Sequence, residues 1–526
     1  MESGCGIEFK GLVEMFAMSE GETMVEGERN MSLFKHQKEA IDFIISRGGS
    51  GALYHDMGVG KTRTAIEIFG ELRKKEPRLK MIVIAPISLL KAAWGEDIKR
   101  FSDFKFCNIR TAPWVIEHER YPFDMTEEIF AVNYEYLISE KKFSALMKTI
   151  KNSNVPWLCV LDESSRIKNH KAQITKALLK TVDLFKHRIV MSGTPAPNSE
   201  MEYWPQIQFV APGVLGWSMT AFRVKFFHLV NRYSGQVIPA AFTSRQQAAE
   251  IFRKCEYRIT PKKREELMGI IAPYCHVAKK KDCLDLPEMI DEIRLVSMDA
   301  MQKKYYEKMR RDLVIWIRES AIAAPMALTK IGKLRQITSG FVYNAAGEAF
   351  EINEPKICNV TGDTPIALEI GNPKLKELFD IIEEAGNQPI IIWIHFHWEQ
   401  IKICHELYQR FGEGSVVTLS SLTKNRDESI EAFKSGKARF LVAHPASAAH
   451  GLTFVNCSLQ IFFSLDFSWE KYEQAKARIH RAGQTNKCTY VHILCDDTID
   501  QDILEILKNK GNAQEILYRA ICGKKQ

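Results

Sequence analysis

His55-Asp-Met-Gly-Val-Gly-Lys-Thr62 (HDMGVGKT) leads straight into RTAIEIFGELRK, residues 63–74, whose apolar positions recur at helical spacing. A turn of small residues at a helix N-terminus lets backbone N–H groups close around a phosphate, where the helix dipole also favours an anion. Gly58, Val59 and Gly60 permit that approach. Lys61 is placed to reach the β- and γ-phosphates of a nucleoside triphosphate, and Thr62 to ligate Mg2+. The match is incomplete, because the pattern G-x-x-x-x-G-K-T opens on glycine and this stretch opens on His55. Taken alone, a chance loop remains the alternative.

Outward from this stretch, short apolar runs alternate with helical patterns in two separate sets. The first contains Met81–Pro86, Ile129–Asn133, Trp157–Asp162 and Arg188–Ser192. The second contains Pro389–His395, Ser415–Leu419, Arg439–Ala443, Leu459–Ser464 and Thr489–Leu494. Runs of this length and Ile/Val content predict parallel strands covered on both faces, hence an α/β chain of two doubly wound lobes. In such sheets ligands gather at the carboxyl ends of the strands, so the residues after each run deserve scrutiny.

Trp157–Ser165 reads WLCVLDESS, an apolar strand ending in two acids. Asp162 there would hold Mg2+, and Glu163 would orient and deprotonate an attacking water. The bland alternative is a helix N-cap, a position that favours Asp and Ser. A third run ends in Ser192-Gly-Thr194-Pro, whose hydroxyls could sense the γ-phosphate and couple it to a neighbouring segment; standing alone, the segment reads better as a simple Gly-Pro turn. In the second set, Gln474–Gln484 places Arg478 and Arg481 three apart, on one helical face. Guanidinium groups reaching across a cleft can stabilise charge on a transferring phosphoryl group, whereas two arginines alone suit a solvated helix.

Composition bounds these readings. The chain has 526 residues, 45% hydrophobic and 26% charged, which predicts two sizeable globular domains. Its longest apolar run, Pro389–Phe396, is far short of the ~20 residues a membrane span requires. The opening MESGCGIEFKGLVEMF is acidic, unlike a signal peptide. The twelve cysteines include no C-x-x-C pair, against a zinc module or disulfide framework. The expectation is therefore a soluble, cytoplasmic chain. Net charge is only +7, but Arg253–Arg311 holds fifteen Lys/Arg against ten Asp/Glu. Such a stretch suits a polyanionic partner or simply a solvated face; Lys279, Lys280 and Lys281 are its candidates for nucleic-acid contact. Met298–Glu319 predicts a long amphipathic helix. Trp217–Lys281, lacking strand rhythm, reads as helical protrusion and linker.

Together these elements resemble the Swi/Snf-like branch of the superfamily-two helicase-like ATPases over roughly residues 31–510. Leu33-Phe-Lys-His-Gln37 is similar to that family's opening motif, which places Gln37 on adenine. Met57–Thr62 is similar to its M-G-L-G-K-T loop, Arg166-Ile-Lys-Asn169 to the end of its D-E-x-H-x-x-K-N pattern, and Asp285-Leu-Pro287 and Leu334-Arg-Gln336 to its middle region. Arg478-Ile-His-Arg481-Ala-Gly-Gln484 resembles its final motif. The resemblance implies two RecA-like lobes in tandem with helical protrusions between them. Residues 1–30 would be an extension, 31–285 the ATP-binding lobe with a first protrusion, and 286–526 a second protrusion and the second lobe. It implies ATP and Mg2+, and translocation on double-stranded DNA that remodels forks or bound protein; a strand-separating DNA or RNA helicase and an ATP-gated adaptor are the alternatives. Two departures stand out. Ser165 occupies the usual histidine position. Ala446–Phe454 (ASAAHGLTF) departs from A-G-G-x-G-L-N and ends closer to strand-annealing, fork-remodelling relatives, with Gly451 the expected coupling residue. With no targeting module evident, such a stripped core is typical of bacterial or phage members, and a protein partner is expected to supply targeting.

Overall fold

The structure, a computed structural model, describes residues 32–112, 126–231, 234–238, 255–319, 324–343, 367–369, 371–421, 423–447 and 452–509. Residues 1–30 and Gly451 lie outside these ranges.

The first apolar set folds as expected, into strands β1 (Gly51–His55), β2 (Lys80–Ala85), β3 (Phe106–Asn108), β4 (Ile129–Asn133), β5 (Trp157–Asp162) and β6 (His187–Met191). Three short strands then form a separate antiparallel sheet: β7 (Phe227–Asn231), β8 (Val237–Ile238) and β9 (Cys255–Ile259). Strand β10 (Cys275–Ala278) returns to the first sheet and pairs with β1, completing the order β10-β1-β6-β5-β2-β4-β3, all parallel. Within this sheet the pleat sends alternate residues to opposite cores. Ile82, Ile84, Cys159 and Leu161 enter one cluster, while Met81, Val83, Leu158 and Val160 enter the other.

The second sheet repeats the plan. Strand β11 (Met289–Val296) is followed by an antiparallel pair, β12 (Phe341–Tyr343) and β13 (Ala367–Glu369). Then come β14 (Ile390–Trp393), β15 (Val416–Leu419), β16 (Phe440–Ala443), β17 (Leu459–Phe462) and β18 (Cys488–Cys495). Its order is β11-β18-β17-β14-β16-β15, again all parallel. Ile391 and Trp393 face one core, Ile390 and Ile392 the other. The chain thus passes from the first sheet to the second between Ala278 and Met289. Among the described residues no helix is long and apolar enough to cross a membrane.

The middle of the chain departs from expectation. Trp217–Lys281 is not purely helical but supplies β7 to β9 and the sheet strand β10. The reason is exposure in β9 and β10, which bury fully only Cys255 and Ala278, and shortness in β7, which buries Phe227, Leu229 and Val230. Strands with both faces part-solvated carry no clean apolar alternation. The predicted amphipathic helix is present as Ala300–Glu319. It does not stand free of the second lobe, since its Tyr306 and residues Ile331, Leu334 and Ile337 of the next helix enter the second lobe's core.

Candidate active site

The helix Lys61–Lys75 begins directly after β1, with Gly60 as its N-cap at φ 82° and Gly58 at φ 85°. Both lie in the left-handed region that glycine enters without penalty. Each glycine is also closely approached. A β-carbon on Gly60 would stand 2.5 Å from Gln37 Nε2, and one on Gly58 2.7 Å from Arg481 Nε. The loop is fastened from the preceding helix, Lys35–Ser46. Gln37 donates to the Gly60 carbonyl at 3.3 Å while accepting from Phe34 N at 3.0 Å, and His36 Nε2 lies 2.8 Å from the Val59 carbonyl. Lys61 Nζ folds back onto the carbonyls of His55 (2.9 Å) and Asp56 (3.1 Å). Burial pulls its pKa down, against the opposing pull of Glu163 and Asp162.

His55, the departure from the glycine pattern, is the last residue of β1 and fully buried. It contacts His276 of β10 at 2.8 Å and is held neutral, its pKa driven by burial, then by Lys61, down to about 2. An imidazole is tolerated there because β10 offers it a ring partner. A loop that needed only glycine's freedom at that point would have no such strand alongside.

At the end of β5, Asp162 and Glu163 are both buried. Asp162 accepts from Trp94 Nε1 at 2.9 Å and from Glu163 N at 3.0 Å, and Tyr134 Oη donates to its carbonyl at 2.9 Å. Glu163 is one of three non-glycine residues with positive φ among those described, at φ 52°, ψ 56°. That conformation costs ~1–2 kcal/mol, and it is the kind of strain that clusters at functional sites. Burial raises the pKa of both acids. For Glu163 the value reaches about 7, with Lys61 and Arg478 opposing the rise and Asp162 and Glu470 adding to it.

The end of β6 lies alongside. Ser192 Oγ accepts from Thr194 N at 3.1 Å, and Thr194 is buried. This segment is tied to the acids by one buried side chain: Gln206 accepts from Ser164 Oγ at 2.7 Å and donates to the Pro195 carbonyl at 2.6 Å.

The second lobe closes the site. Arg481 Nη1 donates to Leu452 O (3.1 Å) and Thr453 Oγ1 (2.5 Å), with its Nε against Gly58. Arg478 donates to Gln474 O and Leu452 O, both at 2.8 Å, so much of it is committed to its own lobe. Burial lowers its pKa to about 9. The three lysines of the basic stretch separate here. Lys279 and Lys281 are exposed. Lys280 points inward, donating from Nζ to the His480 carbonyl at 3.0 Å while its backbone N–H reaches Asp56 Oδ2 at 2.8 Å. Its ammonium is spent on the second lobe, and burial lowers its pKa to about 8.

Lys61, Arg478 and Arg481 thus crowd cationic groups at a helix N-terminus, beside two acids. Glu163 Oε2 and Thr194 Oγ1 are buried without a hydrogen-bond partner among the described residues. Clustered buried cations beside orphaned oxygens suit a polyanion with a divalent cation. Sequence reading missed Trp94, Gln206 and Lys280's inward role; each acts through a contact at long sequence separation, which no local pattern marks.

Residues 36–340 match the SNF2-related domain, and residues 373–483 the helicase conserved C-terminal domain. The chain belongs to the SNF2-related family. It is a helicase-like, nucleic-acid-dependent ATPase; the first match spans the whole first sheet and β11 of the second, and the second match spans β14 to β17. Among relatives of the SNF2-related chain, protein p41 of Acyrthosiphon pisum secondary endosymbiont phage 1 is 26% identical over 482 residues, covering 88% of this chain and 93% of that protein. Chromatin structure-remodeling complex subunit snf21 of Schizosaccharomyces pombe is 23% identical, covering 90% of this chain but 38% of that one. RAD54-like DNA repair and recombination protein of Drosophila erecta is 24% identical, covering 89% and 61%. The chain therefore spans nearly the whole phage protein but less than two thirds of these cellular relatives. Of solved structures, the Sulfolobus solfataricus SWI2/SNF2 ATPase core in complex with dsDNA is similar at 23% identity over 94% of each chain, with a TM-score of 0.39.

Proposed function

We propose that this chain hydrolyses ATP with Mg2+ to translocate on double-stranded DNA, remodelling forks or bound protein without extensive strand separation. The observation that carries the reading is Arg481 of the second lobe lying against Gly58 of the first lobe's phosphate loop. A complete hydrolytic site then exists only when the lobes are together, which is what converts a nucleotide cycle into relative motion. A DNA track is supported by relatives whose names concern chromatin remodelling and DNA repair.

In this reading the loop N–H groups and Lys61 bind the β- and γ-phosphates, Lys61 leaving the carbonyls it now holds. Gln37, already packed on the loop, reads adenine. Asp162 and Thr62 would hold Mg2+, which when bound neutralises developing phosphate charge. Glu163 orients water and takes its proton, and Arg481 stabilises the transferring group. Ser192 and Thr194 report the γ-phosphate through Gln206, and Gly451 belongs to the same coupling path in the second lobe. Lys279 and Lys281 contact DNA phosphates, and a protein partner supplies targeting.

The test is ATP turnover with duplex, single-stranded and forked DNA and with RNA, at fixed salt because phosphate contacts are strongly salt-dependent. Duplex and forks should stimulate most, and Lys61→Ala should abolish turnover in every case. Stimulation by RNA or single strands alone, or strand displacement on tailed duplexes, would replace the translocase reading with an unwinding one. Turnover surviving Lys61→Ala would remove the phosphate-loop assignment.

A further inference from the structure

Glu470 is the second residue of the helix Trp469–Lys476, whose N-cap Ser468 accepts from Lys471 N. A carboxylate there suits the helix dipole and needs no further explanation. Yet both its oxygens leave the second lobe. Ser165 Oγ donates to Oε1 at 2.8 Å, and Lys168 Nζ donates to Oε2 at 3.4 Å. Ser165 is buried, two residues beyond Glu163, in the 3-10 turn that follows the strained acid. Beyond the other end of that helix come Arg478 and Arg481.

We propose that Glu470 is a positioning residue that registers the arginine-bearing segment of the second lobe against the hydrolytic acids of the first. Lys280 holds the far end of the same segment through the His480 carbonyl. The segment from Glu470 to Arg481 is therefore pinned to the first lobe at both ends, and Arg481 lies at the second pin. Ser165 explains its own presence in this scheme. A short hydroxyl in the turn donates directly to a carboxylate of the facing lobe. The pairing also brings a negative charge near Glu163, whose other charged neighbours are Lys61, Asp162 and Arg478.

This inference rests on the reading that Glu163 and Arg481 serve one ATP-hydrolysing site. Ser165→Ala, Glu470→Ala, the double variant, Glu470→Gln and Glu163→Gln are compared for kcat with and without duplex DNA and for nucleotide Kd. Loss of a hydrogen bond to a charged group predicts a ~10-fold fall in DNA-stimulated kcat for Ser165→Ala and Glu470→Ala, with nucleotide Kd within ~2-fold. The double variant should be no worse than Glu470→Ala, as expected for partners in one contact. Glu470→Gln keeps an acceptor for Ser165 at the same reach, so it should restore DNA-stimulated kcat to within ~3-fold of wild type, a rescue that mere loosening of the fold would not produce. Full DNA-stimulated kcat in both single variants, or no recovery in Glu470→Gln relative to Glu470→Ala, overturns the proposal while Glu163→Gln is inactive. If Glu163→Gln itself turns over ATP, the fault lies in the underlying assignment of the acid instead.

Discussion

Alanine at Gly58 and at Gly60 makes a paired perturbation whose outcomes the structure separates. Both glycines have φ near 80°, at 85° and 82°, so each substitution carries the same backbone penalty of ~1–2 kcal/mol. What the new methyl meets differs. At Gly58 it would stand 2.7 Å from Arg481 Nε and 3.0 Å from Arg481 Cγ; at Gly60 it would stand 2.5 Å from Gln37 Nε2. Contacts that close force the neighbour aside. Arg481 is anchored to Leu452 O and Thr453 Oγ1, so it cannot swing away without breaking those bonds or parting the lobes. An arginine supplied across a cleft contributes ~10³-fold to phosphoryl transfer. Gly58→Ala should therefore lower DNA-stimulated kcat by ~10²-fold or more, with nucleotide affinity reduced by no more than the ~10-fold that strain of this size allows. Gly60→Ala should instead show its main loss in nucleotide Kd and keep its ratio of DNA-stimulated to basal turnover. The assay is steady-state ATPase with saturating duplex DNA, beside equilibrium binding of a fluorescent nucleotide. If the two variants gave the same ratio of kcat loss to affinity loss, the assignment of Arg481 to the loop's outer face would be wrong.

Other consequences are testable in the same system. Glu163→Gln should bind nucleotide tightly and turn it over very slowly; intact affinity with intact rate would make the acid structural. Because burial raises the Glu163 pKa to about 7 and the base must be ionised to act, kcat/KM should climb with pH up to about 7 and fall about tenfold per unit below it. Arg481→Ala should nearly eliminate DNA stimulation while thermal stability stays close to wild type. Arg478→Ala should lower the melting temperature more than Arg481→Ala does, since both are bonded within their own lobe but Arg478 is the more fully buried; equal stability losses would contradict the division of roles. Replacing Lys279 and Lys281 with Ala should shallow the salt slope of DNA binding by up to ~2 units, whereas Lys280→Ala should act on lobe closure and leave that slope unchanged.

Much of this could be read without coordinates, for a physical reason. A phosphate loop is built from the backbone freedom of neighbouring glycines and the first turn of the next helix, so Gly58 to Thr62 carry their own instructions. A strand buried on both faces must be apolar throughout, which made β2, β4, β5, β14 and β17 visible as runs and two such sets visible as two lobes. Asp162 and Glu163 follow because ligands gather where such strands end. The tertiary structure alone decided the rest, because it depends on pairings between residues far apart in the chain. Strands β8 to β11 each bury at most one residue fully and β7 is too short a run to show a period; pairing with neighbouring strands is what makes them strands. His55 is tolerated because β10 returns beside β1 from more than two hundred residues downstream. Lys279, Lys280 and Lys281 are identical as letters. Only the approach of His480 from the second lobe turns the middle one inward, and only the seating of Glu470 on Ser165 shows how one lobe is held in register with the other.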